Sequence, residues 1–457
     1  MFNDLRPAGF SRRDLLKAVS CGFGYLAFSN LAAQASTAET PNALAPKAPH
    51  FKSRAKRVIF LFMQGAPSHV DTFDYKPRLQ SDDGKTTNGK DRKLMRSPFK
   101  FSQHGKSGLW LPEIFPQLAN HADDLCLLNS MYTDVGVHPQ AVTEMHTGTF
   151  RFQRPSMGAW TLYGLGSENS ELPGFITINP AGGATSYGSA FLPASYQGIK
   201  IDGVQERNGG GRMANIGNSK LTAELQRQQL DLLATLNKDR LQKDGVNTEL
   251  EGLIQSYELA FRMEGAVPAI MDISNETEAT RDAYGIGTKG TDNFGRQCLL
   301  ARRFAEAGVR FIELGMGGWD QHNNLRAKLT TNARAIDKPI AALLADLKQR
   351  DLLKDTLVVW GGEFGRTPTA QRADGRDHNA TGFSMWMAGG GVKGGFRHGA
   401  TDDHGEKAVD KKMHINDLHA TMLYLLGLDH TKLTYQYSGR DVRLTDLAGT
   451  VAHDIVA

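Results

Sequence analysis

The chain has 457 residues, of which 40% are hydrophobic and 22% are charged, and its formal net charge is +4. This composition is typical of an ordinary globular protein, and the length suits two or three average domains or one large α/β domain with insertions. So small a net charge does not indicate a nucleic-acid partner, and none is predicted. The three cysteines, Cys21, Cys126 and Cys298, lie far apart in the chain. They fit neither a disulfide framework nor a cysteine metal cluster, so nitrogen and oxygen ligands would hold any metal ion.

The N-terminal residues carry the features of an export signal. Residues 11–17 read SRRDLLK and resemble a twin-arginine motif, a modestly apolar run follows at residues 18–33, and Ala33-Gln34-Ala35 is a small-x-small cleavage site. A chance arginine pair in an amphipathic helix is the alternative. The order of the three features predicts a signal peptide over residues 1–35, recognised by the twin-arginine export machinery, and hence a periplasmic or secreted protein. The apolar run is too short to span a bilayer, so no stable membrane span is expected in the mature form.

The folded domain is predicted to span residues 57–457, after a flexible linker over residues 36–56 that is rich in Ala, Pro, Thr and Lys. It opens with the apolar run Arg57–Met63, which is typical of a central parallel strand. His69 and Asp71 follow, and an extended segment would let both side chains bind one ion. Two polar surface residues are the alternative.

A second buried strand is predicted at Leu125–Ser130, and His138 follows it. Pro139 suits the first turn of a helix, and Gly148 suits its C-terminus. His138 would therefore lie at a helix N-terminus, where free backbone N–H groups favour an anionic ligand. Further along, residues 181–290 combine a Gly-rich segment with apolar residues at helical spacing, which predicts an insertion that contains helices.

Three later segments place acidic or imidazole side chains beside predicted strands and helices. They are Asp320 and His322 after the strand Val309–Leu314, Glu363 and His378 after the strand Leu357–Trp360, and His414 before a helix. Strands that alternate with helices predict an α/β fold with a mostly parallel sheet flanked by helices. Because such sheets place their ligands beyond the carboxyl ends of the strands, we expect these side chains to converge on one pocket as ligands of divalent metal ions. His69 and Asp71 would adjoin them, and solvated turns are the alternative.

Several motifs, in this order, resemble those of the exported, sulfatase-like domain-of-unknown-function family 1501, within the alkaline-phosphatase-like superfamily. The motifs are GAPSHVDTFDYKP, MHTG, RPSMGAW, LPGF, GGWDQH, GEFGRTP, GRDHN, and DLHATMLYLLGLDH through SGRDVRLTD. The resemblance covers roughly the whole mature chain. It implies the fold of that superfamily, in which two divalent ions lie beside a nucleophile.

The resemblance also assigns metal ligands. Asp320, His322 and His414 match the ligands of the first ion, although the spacing between the Asp and the first His is shorter here. Glu363 occupies the position of an Asp ligand of the second ion, and His378 is a substitute for its missing His neighbour. The identity of the metal, whether Zn, Ca, Mg or Mn, is left open.

His138 stands where sulfatases have an oxidised Cys or Ser as the nucleophile, and imidazole cannot form the aldehyde hydrate that those enzymes use. We therefore predict His138 as a catalytic group of another kind, a metal ligand or a general base. A phosphohistidine and the hydroxyls of Thr133 and Thr147 are the remaining nucleophiles. Arg366 and Arg376, in the charged loop before His378, are predicted to bind substrate.

Two classes of function follow. The first is a periplasmic metal-dependent hydrolase that acts on sulfate or phosphate esters of small molecules or glycans, in which the metal ions would lower the pKa of a bound water. The second is a non-catalytic or carbohydrate-binding relative that kept the fold and lost the nucleophile. Fold alone does not decide between them, because function depends on the site.

Overall fold

The computed structural model describes residues 43–87, 92–204, 212–213, 222–244 and 248–457. The predicted signal peptide and the first residues of the predicted linker lie outside these ranges. The described chain is a mixed α/β structure with a large, mostly parallel sheet flanked by helices, so the predicted fold class is confirmed. No helix in these ranges is long and apolar enough to cross a lipid bilayer.

The secondary-structure elements alternate along the chain as an α/β fold requires. The strands are β1 (Arg57–Met63), β2 (Phe101–His104), β3 (Leu109–Pro112), β4 (Leu125–Tyr132), β5 (Phe175–Ile178), β6 (Ile199–Asp202), β7 (Arg212–Met213), β8 (Phe311–Met316), β9 (Thr356–Gly361), β10 (Gly365–Gln371), β11 (Gly375–Asn379), β12 (Phe383–Ala388), β13 (Phe396–His398), β14 (Ala400–Thr401), β15 (Ala408–Asp410), β16 (Met413–His414), β17 (Tyr435–Tyr437) and β18 (Arg440–Val442). The helices are α1 (Pro77–Ser81), α2 (His138–Thr147), α3 (Met157–Leu165), α4 (Ala223–Asp244), α5 (Thr248–Met271), α6 (Glu278–Ala283), α7 (Asp292–Glu306), α8 (Leu325–Gln349) and α9 (Ile415–Leu425).

The central sheet positions the candidate site. Among the described residues it has ten strands in the order β13-β4-β12-β9-β1-β8-β5-β6-β7, with β16 also paired to β4. Strand β1 lies between β8 and β9 and is parallel to both, whereas β12 is antiparallel to its neighbours β9 and β4. Every residue of β1 and β9 is buried, as expected for strands that are covered on both faces. The carboxyl ends of β1, β4, β8 and β9 therefore meet at one edge of the sheet.

Amphipathic helices cover the sheet. Helix α7 packs against β1 and β8, and α3 packs against β5 and β8. Helix α8 packs against α7, and it buries apolar side chains three or four residues apart from Leu325 to Leu347, the spacing of one helix face. The buried helix faces and the sheet form one extended hydrophobic core, and burial of its apolar side chains stabilises the fold.

The segment predicted as an insertion contains β6, β7 and helices α4, α5 and α6. Helix α4 lies along α5, where Arg227 forms an ion pair with Glu258 at 2.6 Å and Gln226 donates to Glu264. Leu225 and Leu236 of α4 remain exposed.

Residues 43–56, predicted as part of a flexible linker, lack helix and strand but are bonded to the domain. The backbone N–H of Lys47 donates to Leu165, and those of Arg54 and Ala55 donate to Leu425. Ala55 is fully buried. Backbone hydrogen bonds therefore hold this part of the chain against the domain, and Ala55 packs in the hydrophobic core.

Candidate metal centre

Four elements bring a cluster of histidine and carboxylate side chains to the carboxyl edge of the sheet. His138 begins α2 after β4, Asp320 and His322 follow β8, and His378 lies on β11. The charged loop predicted before His378 is a β-hairpin, in which His378 pairs with Arg366 of β10. Glu363 follows β9 and is fully buried beneath the cluster. The structure thus brings together five of the side chains predicted for the site.

The carboxylate of Asp320 is the centre of the cluster. Its Oδ1 lies 2.8 Å from His322 Nε2, 3.2 Å from His138 Nε2 and 3.5 Å from His378 Nε2. The two nitrogens His322 Nε2 and His378 Nε2 are 3.0 Å apart. Four ligands bound at about 2.0–2.1 Å to one tetrahedral zinc ion lie about 3.3 Å from each other. Four of the six distances among these ligand atoms are therefore close to that value, and all four residues offer ligand atoms within 4.8 Å of one another.

Hydrogen bonds on the far side of each ring set the direction of its free lone pair. Nδ1 of His138 donates to Glu363 Oε1 at 2.7 Å, and Nδ1 of His378 donates to the carbonyl of Gly136 at 2.7 Å. Nδ1 of His322 donates to Oε1 of Gln371. Each ring then carries its proton on Nδ1 and points an Nε2 lone pair into the cluster. Metal-binding histidines are oriented in this way by an outer hydrogen-bond acceptor.

Burial and neighbouring charges shift the pKa values of three residues of the cluster. Burial alone would raise the pKa of Asp320, but the hydrogen bond and charge of Arg366 lower it to about 2. Burial lowers the pKa of His378, and the charge of Arg366 lowers it further. Burial opposes a charged His138, yet its bond to Glu363 and the charges of Glu363 and Asp320 raise its pKa. The same negative charges that favour a second proton on His138 would favour a metal ion in the place of that proton.

One buried polar atom also fits a bound cation. His138 Nε2 is buried and makes no hydrogen bond with any described residue, despite its closeness to Asp320. A buried nitrogen without a partner is costly, and a metal ion would satisfy it. Three imidazole nitrogens and one carboxylate oxygen suit zinc and other transition metals better than Mg or Ca, which prefer oxygen ligands.

Two glycines let the backbone approach the cluster. Gly65, after β1, has φ +109°, and a Cβ there would lie 2.5 Å from the backbone nitrogen of Asp320. Its N–H donates to Glu363 Oε1 at 2.9 Å, which holds the acceptor of His138 in place. A Cβ at Gly375 would lie 2.0 Å from the carbonyl oxygen of His322. A larger residue at either position would clash with the backbone of Asp320 or His322 and would push these side chains out of the cluster.

Glu363 does not have the position predicted for it. Its Oε1 accepts hydrogen bonds from His138 and Gly65, and its Oε2 finds no hydrogen-bond partner in the described part of the chain. It lies behind His138 instead of in the ring of ligand atoms around Asp320. The structure therefore places Glu363 outside the group of candidate ligand atoms, because its carboxylate is hydrogen-bonded to the far side of the His138 ring.

His414 is not part of the cluster around Asp320. Its Nε2 lies 3.4 Å from Asp134 Oδ1 and 3.7 Å from Glu144 Oε1, and the three side chains form a separate group. The ring caps α9, and its Nδ1 accepts a hydrogen bond from the N–H of Asn416. Asp134, Glu144 and His414 each offer one ligand atom, and these atoms lie within 4.8 Å of one another, so this group could hold a metal ion of its own. The expected convergence of His414 with Asp320 is therefore not seen, and its role as a metal ligand stays a prediction.

Asp71, Arg376 and His69 belong to the framework beneath the site. Arg376 Nε donates to Asp71 Oδ2 at 2.6 Å and Arg376 Nη2 to Asp71 Oδ1 at 3.0 Å, and both side chains are fully buried. His69 is buried against the carbonyl of Gly405. The structure therefore does not bring His69, Asp71 and Arg376 to the cluster as predicted, because each is bonded to a buried partner.

Arg366, the second predicted substrate residue, is also fully buried. Its guanidinium donates to the carbonyls of Gly65 and Ala66 and, at 2.7 Å, to Asp320 Oδ1. It holds a metal-ligand candidate in place and offers little to a substrate. Gln371 is the site residue that sequence reasoning missed, since only the pairing of the hairpin brings it to His322.

The sequence comparison identifies the family. Residues 55–456 match the family model described as "Protein of unknown function (DUF1501)". The chain belongs to this family. No curated protein matches the sequence.

Solved structures that resemble this member of the DUF1501 family are sulfatases, phosphatases and related enzymes. The PsFucS1 sulfatase from Pseudoalteromonas sp. has 13% identity and a TM-score of 0.36, over 82% of this chain and 68% of that chain. The alkaline phosphatase from the Antarctic bacterium TAB5 has 12% identity and a TM-score of 0.34, over 83% of this chain and 99% of that chain. The lipoteichoic acid synthase LtaP from Listeria monocytogenes has 10% identity and a TM-score of 0.37, over 88% of this chain and 78% of that chain. Neither the identities nor the scores bear on the function of this chain.

Proposed function

We propose that the protein is an exported, zinc-type metallohydrolase of phosphate or sulfate esters, with His138, Asp320, His322 and His378 as the metal ligands. The observation that carries the proposal is the set of three Nε2 lone pairs that converge on Asp320 Oδ1. Lone pairs that face one another and a carboxylate oxygen repel, and a divalent cation between them would remove that repulsion. A divalent cation there would polarise an ester oxygen and lower the pKa of a coordinated water.

The protein's own residues hold and aim these ligands. Glu363, Gln371 and the carbonyl of Gly136 fix the rings, and Arg366 fixes Asp320. About half of the Asp320 side chain is exposed, and each of the three rings is about one-quarter exposed. The cluster is thus open to a substrate on one side and rigid on the other.

The position of His138 supports an anionic substrate. His138 is the first residue of α2, Pro139 has no N–H and Ala141 donates to Val137, so the N–H groups of His138 and Gln140 are the ones left without a helical partner at this end. Free N–H groups and the helix dipole favour an anion at that end. Phosphate and sulfate esters bring such an anion beside the cation.

Hydroxyl nucleophiles are not favoured. The Thr133 hydroxyl donates to Glu144 Oε2 at 2.6 Å, and the Thr147 hydroxyl donates to the carbonyl of Thr143 at 2.8 Å. Both side chains are buried. Nδ1 of His138 is bonded to Glu363, and its Nε2 would be taken by the proposed metal ion. We therefore propose that water attacks the ester.

A panel of esters tests the function. Protein that is folded before export, with its metal content measured, is assayed with nitrophenyl phosphate, bis(nitrophenyl) phosphate and nitrophenyl sulfate. His322→Ala and His378→Ala should each reduce kcat/KM by about 100-fold or more. His404→Ala is the control, since its ring bonds to Asp82 outside the cluster. Binding of metal without turnover of any ester would favour the non-catalytic alternative, and a stable covalent ester on Thr133 or Thr147 would exclude direct attack by water.

A further inference from the structure

A second surface feature is an uncharged groove. It encloses about 680 Å³ between residues 189–197 and the hairpin β17–β18, with Gln153 at its side. Pockets for small ligands typically enclose about 300–1,000 Å³. Among the twelve described residues that line it, three are aromatic, five others have amide or hydroxyl side chains, and none is charged.

The aromatic rings form a stacked platform. Phe191 stacks on Tyr437 with ring centroids 4.5 Å apart and an interplanar angle of 17°. It also stacks on Tyr435 with centroids 5.8 Å apart and an angle of 21°. Tyr437 is 48% exposed. The groove thus presents flat aromatic surface to the solvent beside hydrogen-bonding side chains.

The platform is anchored on the core. Phe191 packs edge-on against the buried ring of Trp160 at 6.2 Å, and Tyr435 packs edge-on against Tyr163 at 5.7 Å. The Tyr163 hydroxyl donates to the carbonyl of Thr434 at 2.9 Å, which joins α3 to the start of the hairpin. A ligand would therefore meet rings that are already in position, so little ordering would oppose binding.

We infer that this groove binds an uncharged carbohydrate chain. A sugar ring has an apolar C–H face that stacks on aromatic rings and a rim of hydroxyls that bond to amides and alcohols. Tyr437 and Phe191 offer aromatic rings for stacking. The side-chain amides that can bond to sugar hydroxyls are those of Gln153, Gln197 and Gln436. A charged ligand would find no ionic partner among the lining side chains that the structure describes. This site is separate from the metal cluster, and binding there needs no metal.

Affinity electrophoresis of the folded protein tests the inference. Native gels contain xylan, glucomannan, laminarin or agarose as neutral polysaccharides, and alginate or dextran sulfate as anionic ones. At least one neutral polysaccharide should slow the protein, and Tyr437→Ala should weaken that binding about tenfold by removing a stacking face. Tyr437→Phe should retain most of it. Tyr257→Ala is the matched control, because Tyr257 is 49% exposed and does not line the groove.

Several results would overturn the inference. They are unchanged mobility in every neutral gel, retardation by the anionic polysaccharides alone, and full binding by Tyr437→Ala. Light scattering that shows a dimer lost in Tyr437→Ala would assign the groove to a second copy of the chain. The gels are also run after chelation, and binding that persists without metal would support this site even if the hydrolase proposal fails.

Discussion

His322 Nε2 and His378 Nε2 face each other at 3.0 Å, while an oxygen acceptor holds the Nδ1 atom of each ring. Two neutral rings held in this way direct lone pairs at one another. Their repulsion is relieved by a cation between them, which is the physical basis of the proposed metal centre. Oriented ligands of this kind bind metal more tightly than free ones because less side-chain freedom is lost.

The hydrogen bond from His322 to Gln371 should therefore matter for metal affinity. Gln371→Ala frees the ring of His322 to rotate and should weaken metal binding by about 10- to 100-fold. Competition with a chromogenic chelator measures the affinity. Gln103→Ala, at an exposed position on β2, should leave it unchanged. Equal affinities for wild type and Gln371→Ala would show that Gln371 does not position the ligand.

The buried pair of Arg376 and Asp71 should support the framework of the hairpin. Asp71→Ala leaves an unpaired guanidinium in the interior and should lower the free energy of unfolding by about 3–5 kcal/mol. Urea denaturation followed by tryptophan fluorescence measures the change. Lys85→Ala, which removes an exposed ion pair with Asp82, should have little effect. A loss for Asp71→Ala no larger than that control would mean that the pair contributes little.

Stability should fall in acid because of His419. Burial lowers the pKa of this ring to about 4, against an ordinary value of 6.5. Between these values the unfolded chain binds a proton that the folded chain does not, so stability is complete above pH 6.5 and is lost as pH falls towards 4. Relative to His419→Gln, the wild type should lose about 1–3 kcal/mol over this window. Parallel unfolding curves at pH 7.5 and 4.5 measure the difference, and identical pH dependence in both proteins would rule out this role.

Export should depend on the arginine pair in the N-terminal residues, which lie outside the described structure. Changing Arg12 and Arg13 to Lys keeps the charge but removes the motif of the twin-arginine route. The precursor should then stay in the cytoplasm, as fractionation and immunoblotting would show, while a single Lys17→Arg change should not affect export. Unchanged export of the double variant would contradict the predicted signal.

Much of the fold follows from local sequence. The apolar runs at β1 and β9 predict central strands, and Pro139 and Gly148 mark the ends of α2. Local sequence does not predict the role of a side chain whose bonding partner comes from an element distant in the chain. His414 and Glu363 follow the expected spacing, yet His414 lies in a separate group with Asp134 and Glu144, and Glu363 is bonded to the far side of His138.

Strand order and hairpin pairing explain the other differences. Gln371 reaches His322 only because β10 and β11 form a hairpin over the end of β8, which no local motif specifies. Likewise, the pairing of Asp71 with Arg376 spans most of the chain. Contacts of this kind depend on topology, and residue spacing carries no signal for them.

Metal content tests the proposed centre most directly. Elemental analysis of protein purified after folding in the cytoplasm should find about one transition-metal ion per chain, as four converging ligands from one chain hold one ion. The double variant with His322→Ala and His378→Ala should retain less than a tenth of that metal, while His404→Ala should retain all of it. A wild-type protein that binds no transition metal after incubation with zinc, or a double variant with full metal content, would contradict the assignment of His138, Asp320, His322 and His378 as a metal centre.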